Sequence, residues 1–274
     1  MDACWRGSFK RGYMKVYAIS DLHIDFDGNA EWLFNAFDAD YTEDVLIVAG
    51  DVSDELSRLE QCFTYLACRF KKVLFVPGNH ELWVVRDRIL TSIEKFEQIC
   101  LLAERCGVSM DVYHHAGVSI VPLFSWYDFS FASPTDKLLS SWMDFYACKW
   151  PDNWDLRHTT DFFLDKNIPR LNTKNDVVIS FSHFLPSAKL LPNFVPEAFK
   201  YLFPVLGSEK LSEQISILQP DMHVYGHSHI ARSLRVDDID YVNNALGYPR
   251  ERGLGGNGLY CLYNSTEIDR KEAG

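Results

Sequence analysis

Short apolar runs alternate with longer amphipathic stretches through the first hundred residues. KVYAI (15–19), DVLIVAG (44–50) and VLFV (73–76) are apolar runs of strand length. Between and after them lie AEWLFNAF, the stretch from Glu55 to Phe70, and a longer one from about Arg86 to Cys106. In the second of these, Leu56, Leu59, Phe63, Leu66 and Phe70 recur three or four residues apart, so they share one face of a helix. Ile89, Ile93, Phe96 and Leu101 mark the third stretch in a similar way. Strand, helix, strand, helix, strand, helix predicts a mostly parallel sheet covered on both faces.

The pattern then changes. Strand-like runs follow at VSIVPL (118–123), DVVISF (176–181), MHVYG (222–226), SLRVDDIDYVN (233–243) and GLYCLY (258–263), with few long helices among them. They predict a second sheet packed on the first, and hence an α/β fold built as a two-sheet β-sandwich. There is no internal repeat and no Gly/Ser linker, so residues 14–265 are expected to form a single domain. Residues 1–13 are expected to be a disordered extension, 266–274 a tail, and 124–170, rich in Trp, Asp and Phe, an irregular excursion.

Composition narrows the chemistry. No apolar run approaches the roughly 18 to 20 residues that a membrane-spanning helix needs, and the N-terminus lacks a signal-peptide core. The seven cysteines form no C-x-x-C pair, which fits reduced thiols and a cytoplasmic protein. The net charge of −11 disfavours general nucleic-acid binding, although divalent cations held in a site would still attract a compact phosphate.

The candidate chemistry sits where strands break. Asp21-Leu22-His23 follows the first strand, Gly50 to Asp54 the second, and Gly78-Asn79-His80-Glu81 the third; His183 follows DVVISF, and Gly226-His227-Ser228-His229 follows MHVY. Any one of these is an ordinary turn or cap. Carboxyl ends of parallel strands share one edge of a sheet, however, so the breaks can meet in space. Asp, His and Asn without thiolates suit manganese, iron, zinc or magnesium.

In order and spacing, D-x-H, G-D-x-x-D, G-N-H-E, H and G-H-x-H resemble the motifs of the calcineurin-like metallophosphoesterases. SHFLP (182–186) and YPRER (248–252) are also similar to a branch of small single-domain members. The resemblance implies a two-sheet sandwich flanked by helices and a centre of two divalent metal ions. Asp21, His23 and His229 would hold one ion, Asn79, His183 and His227 the other, and Asp51 would bridge them. A metal-bound hydroxide would attack phosphorus in line, His80 would protonate the leaving oxygen, and Asp54 would orient His80. Glu81 is read as structural.

One departure bears on substrate class. Protein serine/threonine phosphatases of that superfamily continue G-D-x-x-D with Arg-Gly, whereas Glu55-Leu56 stands here. A phosphodiesterase or small-molecule phosphatase acting on a small phosphate ester is therefore favoured over a protein phosphatase. Arg250 and Arg252 are candidate phosphate clamps, because guanidinium binds oxyanions bidentately. A metal-binding scaffold without turnover and a metal-dependent nuclease are the alternatives. The sequence leaves the substrate, the choice of metal and the oligomeric state open.

Overall fold

The structure, a computed structural model, describes residues 14–37, 39–251, 255–256 and 258–266. The expected 1–13 extension, all of the 266–274 tail except Thr266, and the candidate clamp Arg252 lie outside the described residues.

In the first sheet, β1 (Lys15–Ile19), β2 (Tyr41–Val48), β3 (Phe70–Phe75) and the short β4 (Val108–Ser109) run parallel. Helices α1 (Asp27–Asn35), α2 (Leu56–Ala67) and α3 (Ser92–Arg105) connect them. Leu59, Cys62, Phe63 and Leu66 form the buried face of α2, as their spacing requires. Phe70 instead opens β3, since the helix stops at Ala67. The third helix starts later than about Arg86. Thr91 and Glu94 form a capping box at its N-terminus, so Ile89 belongs to the preceding loop.

The second sheet has six strands in the order β5 (Tyr113–His115), β6 (Val118–Pro122), β7 (Val177–Phe181), β8 (Met222–Tyr225), β10 (Ile239–Asn243), β9 (Arg232–Val236). Side chains alternate across it with the two-residue period of a strand. Ile120, Ile179, Phe181 and Val224 join the core shared with β1, β2 and β3. Val121 and Val178 face the other way, against Leu164 of α6 (Leu156–Asp165) and Leu211, Ile215 and Leu218 of α7 (Glu209–Leu218). The two sheets thus enclose one apolar layer, and helices cover their outer faces.

Three expectations need correction. SLRVDDIDYVN is a hairpin and not one strand, because Asp237 and Asp238 both take positive φ, the backbone a tight two-residue turn demands. The run ending GLYCLY forms β11 (Tyr260–Asn264), which pairs antiparallel with β1 in the first sheet and covers an edge that would otherwise be open. The 124–170 excursion is irregular only in part, since it contains α4 (Asp136–Ser141), α5 (Asp144–Ala147) and α6. Thr135 and Asp155 cap α4 and α6. Helices of a turn or two bury too short a stripe to show a clear period.

Candidate metal centre and active site

The loops after β1, β2, β3, β7 and β8 converge at one edge of the sandwich. Their backbone is strained where chemistry is expected: Asp21 (φ 53°), His23 (42°), Asp51 (55°), His227 (66°) and His229 (53°) all occupy the left-handed region. Non-glycine residues rarely adopt it, and such strain persists where surrounding bonds enforce it. At Asp51 that work falls to Glu81. Buried in a single turn after β3, its carboxylate accepts from the backbone N–H groups of Asp51 (2.9 Å), Val52 (2.5 Å), Ser53 (3.1 Å) and Gly78 (2.6 Å). It therefore ties the second and third loops together, in keeping with a structural role. Gly50 (φ 82°) lets them close up, since a Cβ there would lie 2.5 Å from His183 Nδ1.

Two donor sets result. Asp21, His23, Asp51 and His229 present ligand atoms within 4.8 Å of one another, as do Asp51, His183 and His227, and Asp51 belongs to both. Asn79 joins the second set, its Oδ1 lying 3.2 Å from His183 Nε2. All seven residues expected to hold metal are thus brought together.

Outer contacts decide which nitrogen each histidine turns inward. His183 Nδ1 donates to the Ala49 carbonyl (2.9 Å), and His227 Nε2 donates to the Val205 carbonyl (3.1 Å). His229 Nδ1 donates to the Glu251 carboxylate at 2.7 Å. With the outer nitrogen committed as a donor, the inner one in each neutral ring carries the lone pair. Those inner atoms crowd together: His183 Nε2 lies 3.1 Å from His227 Nδ1, and His229 Nε2 lies 3.0 Å from His23 Nε2. Lone pairs so close repel unless a cation or proton lies among them, so the donor sets fit divalent metal.

The charges agree. Burial alone would lower His183 and His229, but Asp51 and Asp21 respectively, with other nearby acceptors, reverse that and set the two rings at about 9 and about 10. Burial, aided by neighbouring histidines, pushes His227 down to about 3. Without metal the centre takes up protons where cations would otherwise compensate its carboxylates.

His80 lies at the rim. Its ring stacks on Trp83 with centroids 3.8 Å apart, and its Nε2 lies 3.3 Å from the Tyr248 hydroxyl and 3.9 Å from Asp51 Oδ2. The expected direct bond from Asp54 is absent among the described residues. Asp54 pairs instead with Arg86 at 3.2 Å, whose guanidinium also reaches Asp25 at 2.9 Å; a full positive charge outcompetes an imidazole for the carboxylate. Burial, with the charge of Asp25, pushes Asp54 up to about 6. Arg86 and Arg250 line a cleft of about 470 Å³ with Phe26, His80, Trp83 and Tyr248. Arg250 is placed beside the centre, whereas Arg252 has no described position. In YPRER, Tyr248 and Glu251 are the residues that reach His80 and His229. In the sequence only the arginines of this stretch were given roles, so these two were missed.

Two mixed sheets flanked by helices, carrying two nitrogen- and oxygen-rich donor sets on a shared carboxylate, are the framework of a metal-dependent hydrolase of phosphoesters. The chain belongs to the calcineurin-like phosphoesterase family, whose family model matches residues 14–231. It is 28% identical over 279 residues to the [acyl-carrier-protein] phosphodiesterase PptH of Mycobacterium tuberculosis, covering 90% of this chain and 83% of that one. The crystal structure of that phosphopantetheinyl hydrolase superposes with a TM-score of 0.74 at 25% identity, covering 88% of this chain and 92% of the other. An uncharacterized protein, L509, of Acanthamoeba polyphaga mimivirus is 24% identical over 263 residues, covering 85% and 91% of the two chains. Among the described residues, no helix is long and apolar enough to cross a membrane.

Proposed function

We propose that this chain hydrolyses a phosphodiester with two divalent ions, Asp51 bridging them and His80 acting as the general acid. The observation that carries this reading is the pair of donor sets sharing Asp51, with three histidines turned inward by their outer hydrogen bonds. When bound, the ions supply Lewis acidity and lower the pKa of an attacking water. The protein's own part is positioning. Asp51 fixes His80 by accepting its backbone N–H at 3.0 Å, and Trp83 holds the imidazole plane by stacking. That leaves His80 Nε2 facing the centre, where it can give a proton to a departing oxygen. The Tyr248 hydroxyl, 3.3 Å away, is a second group that holds this nitrogen in place.

The cleft beside His80 extends past the room a bare phosphate needs, and its Phe26, Trp83 and Tyr248 walls with Arg86 and Arg250 suit a substituent larger than a small alcohol. With the likeness to PptH, this makes phosphopantetheine joined to a carrier protein the first natural diester to try. The sequence reading of a small ester is thereby widened. Arg250 would contact the distal part of such a substrate.

The reading is tested with EDTA-stripped protein to which Mn²⁺, Mg²⁺, Zn²⁺ or Fe²⁺ is restored separately. Bis(p-nitrophenyl) phosphate, p-nitrophenyl phosphate and a phosphopantetheinylated carrier protein are the substrates. Metal-dependent diester cleavage that falls at least a hundredfold in His80→Ala, with metal retained, supports it. Preference for the monoester would shift the function to a phosphatase. Stoichiometric metal with no turnover of any substrate would favour a scaffold.

A further inference from the structure

Asp144 begins α5, inside the 124–170 excursion, and its side chain is buried. Its Oδ1 accepts from Asn79 Nδ2 at 2.9 Å and from Trp83 Nε1 at 2.7 Å, and its Oδ2 accepts from Trp142 Nε1 at 2.7 Å. Each partner leads to the centre. Asn79 Oδ1 belongs with the second donor set, and Trp83 stacks on His80. The Trp142 ring meets the His227 ring edge-on, with centroids 6.0 Å apart.

The chemistry of the three bonds is directional. A carboxylate only accepts, so it holds the amide NH₂ of Asn79 and turns the amide oxygen toward the centre. A flipped Asn79 would point two protons at the donor set, and shape alone does not prevent the flip. An indole N–H bonded to the same carboxylate fixes the ring on which His80 rests. One buried side chain from outside every motif thus controls a ligand atom and the plane of the acid.

We propose that Asp144 is a positioning residue, which sets the orientation of Asn79 for the second donor set and, through Trp83, the plane of His80. The proposal rests on the two-ion reading, and its test separates the two. The variant is Asp144→Asn, in which one oxygen becomes an NH₂ and at least one of the three donors faces another donor. Ion content is measured by elemental analysis and Mn²⁺ affinity by calorimetric titration, with the melting temperature followed alongside.

Wild-type protein binding two ions is the baseline, and fewer than two would sink the two-ion reading itself. Given two, Asp144→Asn is expected to weaken one ion by about tenfold or more, as loss of an outer-shell partner does, and to leave the other unchanged. Trp142→Phe, which removes one donor to Oδ2 but neither Oδ1 bond and keeps an aromatic ring against His227, should leave both affinities within about twofold. Wild-type affinity for both ions in Asp144→Asn overturns the proposal, as does equal weakening of both.

Should Asp144→Asn fail to fold, metal-free wild-type protein decides the matter by NMR. The Asn79 side-chain amide protons are expected to exchange slowly with solvent and to show contact with the Trp83 indole proton. Exchange as fast as that of an exposed asparagine would mean that nothing orders Asn79 before metal arrives, and would refute the role.

Discussion

The two flanks of the centre are built from different chemistry. The first sheet contributes both buried carboxylates, Asp21 and Asp51, with Asn79 and one histidine, His23; the second contributes only imidazoles, His183, His227 and His229. Their supports differ accordingly. Backbone N–H groups hold the carboxylate flank: His227 N–H donates to Asp21 at 2.9 Å, and four amides converge on Glu81 behind Asp51. Acceptors hold the imidazole flank, namely two carbonyls and Glu251. A carboxylate ligand brings its charge to the metal, so its surroundings need only keep it in place. A histidine brings a lone pair only if its other nitrogen is kept protonated, so its surroundings choose its tautomer.

Substitutions should therefore act differently on the two flanks. The largest effect is expected at the shared carboxylate. Asp51→Asn should lower turnover by about a thousandfold, about 4 kcal/mol of transition-state stabilisation, and should weaken both ions, read by kinetics and metal titration. Next is the support behind that flank. Glu81→Ala leaves four buried amides without their acceptor and should cost about 3 kcal/mol or more, seen as a lower urea midpoint. Equal stability would show that the loops hold themselves.

On the imidazole flank the loss should fall on affinity. Glu251→Gln keeps an acceptor for His229 but removes its charge, so metal binding should weaken by about tenfold while the urea midpoint barely moves. If both flanks lost stability alike, the distinction would fail. The smallest effect lies at the rim. Asp54 is raised from 3.8 to about 6 chiefly by burial, so its protonated form is the one the folded state favours. That contribution is present below about pH 4 and disappears as pH rises through about 6. Asp54→Asn should flatten the decline of stability across this window, measured by urea titration at several pH values.

The same division explains what the sequence could show. Each residue expected to hold metal stands beside the end of an apolar run, so the convergence of Asp21, His23, Asp51, Asn79, His183, His227 and His229 on one edge could be expected from motif and pattern alone. Glu81 was legible as structural, but its hold on Asp51, Val52 and Ser53 in the loop after β2 was not, because those residues lie about thirty positions away. Asp144 reaches the centre from a segment with no motif of its own, and Tyr248 and Glu251 from a stretch whose arginines alone were given roles; only the tertiary path of the excursion and of the chain after β10 brings them in. Arg86 shows the converse. Standing at the expected start of the third helix-like stretch it was given no part in the chemistry, yet it takes the carboxylate of Asp54 that the resemblance had assigned to His80. β11 escaped placement because strand pairing over some 240 residues leaves no local trace.

The claim at the centre is that two ions share Asp51. Anomalous diffraction from crystals of the protein loaded with Mn²⁺ tests it most directly. Two peaks are expected, one among Asp21, His23 and His229 and one among Asn79, His183 and His227, with the Asp51 carboxylate between them. A single peak at full Mn²⁺ loading, or a pair in which Asp51 touches only one ion, would contradict it.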